Sequence, residues 1–245
     1  MRTTFIVLML CSVLMPMAAQ MQPAVNLMPL PANLRMGTCR LIVDPSFSVA
    51  ISGNSDPRLQ RAVERFLNDL RRQTGMLPLD MKVTDSAKAT LVVRAEHANK
   101  EVLDLGEDES YSLDVANDGA KLNAPTTLGA LHGLQTFLQL VATTDDGFGV
   151  PALSIQDKPR FPWRGLLIDV GRHFIPLDVL KRNLDGMAAV KLNVLHWHLS
   201  ENQGFRVESK KFPKLHEMGS DGLFYTQDEI RDLIAYAGTR HLRRP

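Results

Sequence analysis

The chain has 245 residues, 44% hydrophobic and 22% charged, with a formal net charge of +1. These proportions are ordinary for one or two globular domains. The near-neutral balance, with basic residues dispersed among acidic ones until the final positions, removes the electrostatic case for a nucleic-acid or anionic-membrane partner.

In chain order, Met1-Arg2 gives a short positive start, Phe5 to Leu14 an apolar run, and Pro16-Met17-Ala18-Ala19 a small-residue exit. This pattern predicts a signal peptide over residues 1–19 and export to the periplasm or the extracellular space. An apolar run broken by Pro16 is short for a membrane span. Cys11 does not read as a lipid-attachment site, because the preceding Leu10 is bulky. Cleavage leaves Cys39 alone, so the mature chain is expected to hold no internal disulfide and to bury that thiol as a small hydrophobe.

Residues 20–36 are rich in Pro, Met and Asn and predict a lead-in or linker. An α/β domain is expected over 37–158. Asp56-Pro57 predicts a capped helix start, Leu59, Ala62, Val63, Phe66, Leu67 and Leu70 follow helical spacing, and Gly75 ends the helix. Thr90 to Ala95 reads as a strand, and Asn117-Asp118-Gly119 as the turn of a hairpin. The run Glu107-Asp108-Glu109 reads as a solvated loop. A second helix over Thr126 to Val141 has Leu128, Leu131, Leu134, Phe137, Leu138 and Val141 on one face, a core pattern.

Asp157 to Pro162, with two prolines, marks the boundary to a second region, 159–245. Strands over 165–171 and 192–199 flank a helix over 178–190, and Thr226 with Glu229 makes a capping box for a last helix. Strands alternating with helices predict parallel pairing. Roughly 85 residues follow the boundary, room for two of the eight units that a complete barrel fits into about 250. After Ala237 the helical pattern dissolves into an Arg- and Pro-rich tail, which reads as a truncated or frame-shifted end.

Polar chemistry gathers at the two strand ends. Alternation places His196 and His198 on one face and Trp197 on the other. Parallel neighbours would bring Arg172 and Glu201 to one rim, as a grip for sugar hydroxyls or a carboxylate, or as a structural ion pair. A rival reading gives the two histidines to a metal, but no further ligands can be placed on these two units. Asp228-Glu229 lies at a helix start, where acidic side chains complement the helix dipole.

The segments RGLLIDVGRHF, KLNVLHWHLSENQGFR and FPKLHEMGSDGLFYTQDEIRDLIAYA together resemble the start of the catalytic barrel of family 20 glycoside hydrolases, the β-N-acetylhexosaminidases. LNAPTTLGALHGLQTFLQL resembles the end of the small α/β domain that precedes it, so the resemblance runs from about residue 37 to 237. It implies an α/β fold: a small N-terminal domain followed by the first two βα units of a (β/α)₈ TIM barrel. It also implies a retaining, substrate-assisted reaction on an N-acetylhexosamine-containing oligosaccharide, with no cofactor and no metal. Arg172 matches the arginine that binds ring hydroxyls of the terminal sugar. Glu201 matches an acidic rim position, with Asp169, His173, His196, His198 and Asn202 as supporting rim or interior residues. The family often has Asp-Asp where this chain has Glu201-Asn202. The catalytic Asp-Glu pair belongs on a later strand, beyond Pro245, so the chain as written is expected to be inactive alone. The alternative is a non-catalytic carbohydrate-binding or scaffold fragment. No residue pattern sets the oligomeric state.

Overall fold

The computed structural model describes residues 25–54, 56–76, 82–84, 88–100, 103–240 and 242. The expected signal peptide, Cys11 and residues 241 and 243–245 of the Arg-rich tail lie outside the described residues.

The first region contains β1 (Asn33–Val43), β2 (Ser48–Gly53), α1 (Pro57–Thr74), β3 (Lys82–Thr84) and β4 (Leu91–His97). It continues with β5 (Tyr111–Val115), β6 (Ala120–Thr126), α2 (Thr127–Leu140), β7 (Ala142–Thr144) and β8 (Gly147–Asp157). The sheet runs in the order β1-β8-β5-β6-β4-β2-β3, with β7 added to β8. Strands β3, β2, β4 and β6 pair in parallel, and β5, β8 and β1 continue antiparallel. Strand β1 begins inside the segment expected as a lead-in.

Local chemistry explains the helices. The Asp56 carboxylate accepts from the Arg58 amide at 2.8 Å, and Gly75 closes α1 at φ 67°, a left-handed conformation in which only glycine is unstrained. Thr126 caps α2, whose whole expected apolar stripe is buried. Phe47, Phe66 and Phe137 meet in the core with ring centroids 5.7–6.2 Å apart. Each contributes about 2–3 kcal/mol by burial. No helix among the described residues is long and apolar enough to cross a membrane.

The second region has β9 (Gly165–Asp169), α3 (Leu177–Ala189), β10 (Val194–His198), β11 (Ser200–Glu201), β12 (Gly204–Phe205), α4 (Lys214–Gly219) and α5 (Gln227–Thr239). Strands β9 and β10 are parallel, in a register that sets Gly165 beside Val194 and Asp169 beside His198. Val170, Leu180, Leu184, Met187, Leu195, Tyr225 and Leu233 form a second core. The capping box of α5 is present, the Glu229 carboxylate accepting from the Thr226 amide at 2.8 Å.

Three expectations are corrected. Cys39 is exposed, because it falls where the pairing of β1 with β8 shifts register between Met36 and Arg40. Glu109 is not solvated: its side chain is 5% exposed, held by His132 at 2.7 Å and by Arg164. The helical pattern does not end at Ala237: α5 runs to Thr239, and Leu242 is buried in the second core. Arg240 secures that end by donating to Asp185 at 2.6 Å and covering the Tyr236 ring at 4.3 Å.

Burial alone would raise the Glu109 carboxyl, but hydrogen bonds and charge from His132 and Arg164 outweigh it and hold the group at about 2. His132 is itself pushed below its ordinary value, burial prevailing over the attraction of Glu109. The folded Glu109 value lies below the ordinary 4.5, so the contact stabilises the folded state above that pH and is lost as pH falls toward 2. The emission of Trp163 and Trp197, the chain's two tryptophans, should follow this loss, since both lie in the second region. Glu109→Gln should flatten the change between pH 4.5 and 2. An unaltered acid transition in that variant would rule Glu109 out as its source.

Candidate functional site

The C-terminal ends of β9 and β10 carry the site. Beyond Asp169 the chain turns over the neighbouring strand, and the amides of Val170 and Gly171 donate to the His198 carbonyl at 3.1 and 3.2 Å. Gly171 is required there: a Cβ would sit 2.9 Å from the Glu201 nitrogen and 3.1 Å from its Cβ. This close approach sets Arg172 beside the β11–β12 hairpin.

Four side chains converge. Asp169 receives the Arg172 amide at 3.0 Å and faces its guanidinium at 3.4 Å. Glu201 Oε1 accepts from the same guanidinium at 3.4 Å and lies 3.2 Å from His198 Nε2. Arg172 remains 64% exposed, so its two long ion pairs hold it weakly and leave donors for a ligand. The Asn202 amide donates to Glu201 Oε2 at 3.4 Å, with its own side chain exposed. His196 is exposed, its ring centroid 6.0 Å from that of His198. His173 is exposed and does not join the cluster. Among the described residues, no three His, Cys, Asp or Glu side chains are grouped as metal ligands would be.

Trp197 points away from the histidines and meets the Tyr225 ring edge-on at 4.6 Å, while Phe174 stacks on Tyr225 at 4.8 Å. The Tyr225 hydroxyl donates to the Ile175 carbonyl, and burial pushes that phenol up to about 12. An aromatic layer thus backs the polar rim.

Sequence reasoning assigned no role to Arg206, which underpins the rim. It is buried, and donates from Nε to the Val170 carbonyl at 3.2 Å and from Nη1 to the carbonyls of Ser220 at 2.5 Å and Leu223 at 3.1 Å. Gly204 leaves it room, since a Cβ there would overlap the guanidinium. The spacing Gly204-Phe205-Arg206 was the available signal, but the partner carbonyls are invisible in a residue pattern. Asp228-Glu229 plays no part in the rim: Glu229 closes the capping box and Asp228 pairs with Arg231.

This geometry can hold a polyhydroxylated ligand. A guanidinium fork and a carboxylate face solvent side by side, flanked by imidazoles, at the end of a parallel strand pair where barrel enzymes place their chemistry.

Comparison with known proteins agrees. A family model described as the catalytic domain of glycosyl hydrolase family 20 matches residues 161–243, and one described as beta-acetyl hexosaminidase like matches 27–140. The mouse β-hexosaminidase subunit beta is 38% identical over 239 residues, covering 92% of this chain and 44% of that protein. The Porphyromonas gingivalis β-hexosaminidase is 31% identical, covering 89% of this chain and 29% of that protein. The chain therefore spans less than half the length of these curated relatives. Among solved structures, the Flavobacterium johnsoniae chitobiase superposes with a TM-score of 0.83 at 47% identity, covering 89% of this chain and 33% of that one. A mutant Streptomyces plicatus β-hexosaminidase in complex with product GlcNAc gives a TM-score of 0.76 at 29% identity, covering 90% and 45%. With its mixed α/β fold resembling these structures and both regions matched by models of the same family, the chain belongs to glycoside hydrolase family 20.

Proposed function

We propose that this chain supplies the sugar-gripping rim of a β-N-acetylhexosaminidase, which removes terminal N-acetylhexosamine from glycans with retention and assistance from the substrate's own acetamido group. The convergence of Arg172, Glu201, His198 and Asp169 at the ends of β9 and β10 carries the reading. Arg172 grips two ring hydroxyls of the terminal sugar. Glu201 orients Arg172 and, with His198, borders the sugar. The two βα units are the first of a (β/α)₈ barrel, and the apolar start of the chain directs it out of the cytoplasm to the periplasm or the extracellular space.

Substrate-assisted hydrolysis needs an Asp to orient the acetamide and a Glu as general acid and then base. Glu201 and Asp169 are engaged by Arg172, and Glu229 is locked in its capping box. The 245-residue chain alone is accordingly silent in hydrolysis. Purified chain should release no chromophore from an aryl N-acetylglucosaminide above the buffer rate, and steady turnover would overturn that assignment. N-acetylglucosamine at up to about 10 mM should still shift the backbone amide resonances of Arg172, His198 and Glu201. Arg172→Met should remove those shifts. If wild-type amides stay unmoved while the chain is folded, the rim does not bind sugar by itself and the scaffold reading takes its place.

A further inference from the structure

We infer that the first region is the template that positions the rim, with Glu109 and Asp157 as positioning residues acting through Arg164 and Lys191.

Strands β9 and β10 are five residues each and pair in parallel. Each strand is anchored near its N-terminal end by a basic side chain inserted into the first region. Arg164, immediately before β9, reaches the Glu109 carboxylate with Nη2, the Lys191 carbonyl with Nε at 2.8 Å and the Phe161 carbonyl with Nη1 at 2.8 Å. Lys191, shortly before β10, donates from Nζ to the Tyr111 hydroxyl at 2.9 Å and to Asp157 at 3.2 Å. Its side chain is 5% exposed, and burial, though countered by Asp157, lowers its ammonium below the ordinary value.

Three observations separate this from ordinary domain packing. The anchors are coupled to each other: Arg164 bonds the Lys191 backbone, Asn193 Oδ1 accepts the Arg164 amide at 2.9 Å, and Asn193 Nδ2 donates to the Pro162 carbonyl at 2.8 Å. Lys191 also adopts φ 61°, a left-handed conformation disfavoured for a residue with a side chain and retained where the surroundings over-determine it. The receiving groups share one end of two neighbouring interior strands. Tyr111 opens β5, Asp157 ends β8, and the two are register partners. Glu109 lies two residues before Tyr111, whose hydroxyl is also held by Thr136 at 2.7 Å.

A strand rises about 3.3 Å per residue, so five residues carry an N-terminal displacement roughly 15 Å to Asp169 and His198 without absorbing it. The Arg172–Glu201 and His198–Glu201 spacings, at 3.4 and 3.2 Å, therefore depend on the far end as well as on Gly171 and Arg206 at the rim itself. The proposed function supplies only the reason the rim's position matters, and the test below does not depend on sugar binding.

Hydrogen exchange resolved by peptide, on the full 245-residue chain, decides the matter. Glu109→Gln and Asp157→Asn should each speed exchange in β9 and β10 roughly a hundredfold, with α1 and β4 unchanged, because a buried charge has lost its partner locally. Both variants should also move the backbone amide resonances of Arg172, His198 and Glu201, which a merely structural contribution would leave in place, and unmoved rim resonances overturn the inference. Equal acceleration everywhere, or none in β9 and β10, overturns the inference. Should Glu109→Gln fail to fold, Asp157→Asn, which keeps shape and hydrogen-bonding capacity, gives the same readout at the other anchor.

Discussion

Replacing Arg206 by leucine should destabilise the chain by about 3–5 kcal/mol. The guanidinium is buried, has no carboxylate against it among the described residues, and bonds three backbone carbonyls, those of Val170, Ser220 and Leu223. Leucine fills part of the volume but leaves those acceptors without donors. Hydrogen bonds from a charged group are worth about 1.5–3 kcal/mol each, so losing them outweighs the gain from shedding a buried charge. Lysine should rescue little, because a single ammonium does not span carbonyls that a planar fork does. Urea unfolding followed by Trp163 and Trp197 emission measures the loss. A change below about 1 kcal/mol would mean that the carbonyls find other donors and that Arg206 does not hold the rim turn.

Gly129→Ala should cost about 3 kcal/mol or more, although alanine in place of helical glycine ordinarily stabilises by about 1 kcal/mol. The reversal of sign has a local cause. Gly129 sits in the first turn of α2 against the Ser110 carbonyl oxygen, and a Cβ would overlap that backbone atom and lie 3.0 Å from the Ala124 Cβ. Ser110 follows Glu109 directly, so relief of the clash displaces the carboxylate that receives Arg164. Gly186 in α3 is the control: an added methyl would meet nothing within 4 Å, and Gly186→Ala should be neutral or stabilising. Thermal melts of the two variants should move in opposite directions. Similar shifts for both would remove the steric argument.

The capped helices were legible because their signals are local. Asp56-Pro57 with Gly75, and Thr226 with Glu229, lie within one helix or one turn of the structure they specify. The Asn117-Asp118-Gly119 turn was legible for the same reason, and alternation was enough to separate Trp197 from His196 and His198. What escaped depends on distant partners. Glu109 read as solvated because its neighbours in sequence are acidic, whereas its fate is set by His132 and Arg164, 23 and 55 residues away. Cys39 read as buried from residue type, but a register shift in β1 turns it outward. The end of α5 looked formless because Arg240 and Leu242 belong to no apolar repeat; Asp185 and the second core order them. For the rim, sequence proposed the meeting of Arg172 and Glu201. The contacts of Arg206, Glu109 and Asp157 join residues far apart in the chain and leave no local pattern.

The order of the anchoring groups along the chain has a consequence for biosynthesis. Glu109, Tyr111, His132 and Asp157 all precede Arg164 and Lys191. Strand β8, which ends at Asp157, is also the one that joins β1 to β5. The receiving groups thus precede both inserting side chains in the order of synthesis, and N-terminal domains fold first. Wherever folding takes place, the second region docks against groups that lie ahead of it in the chain, and an N-to-C order of folding lets Arg164 and Lys191 insert into a sheet already formed.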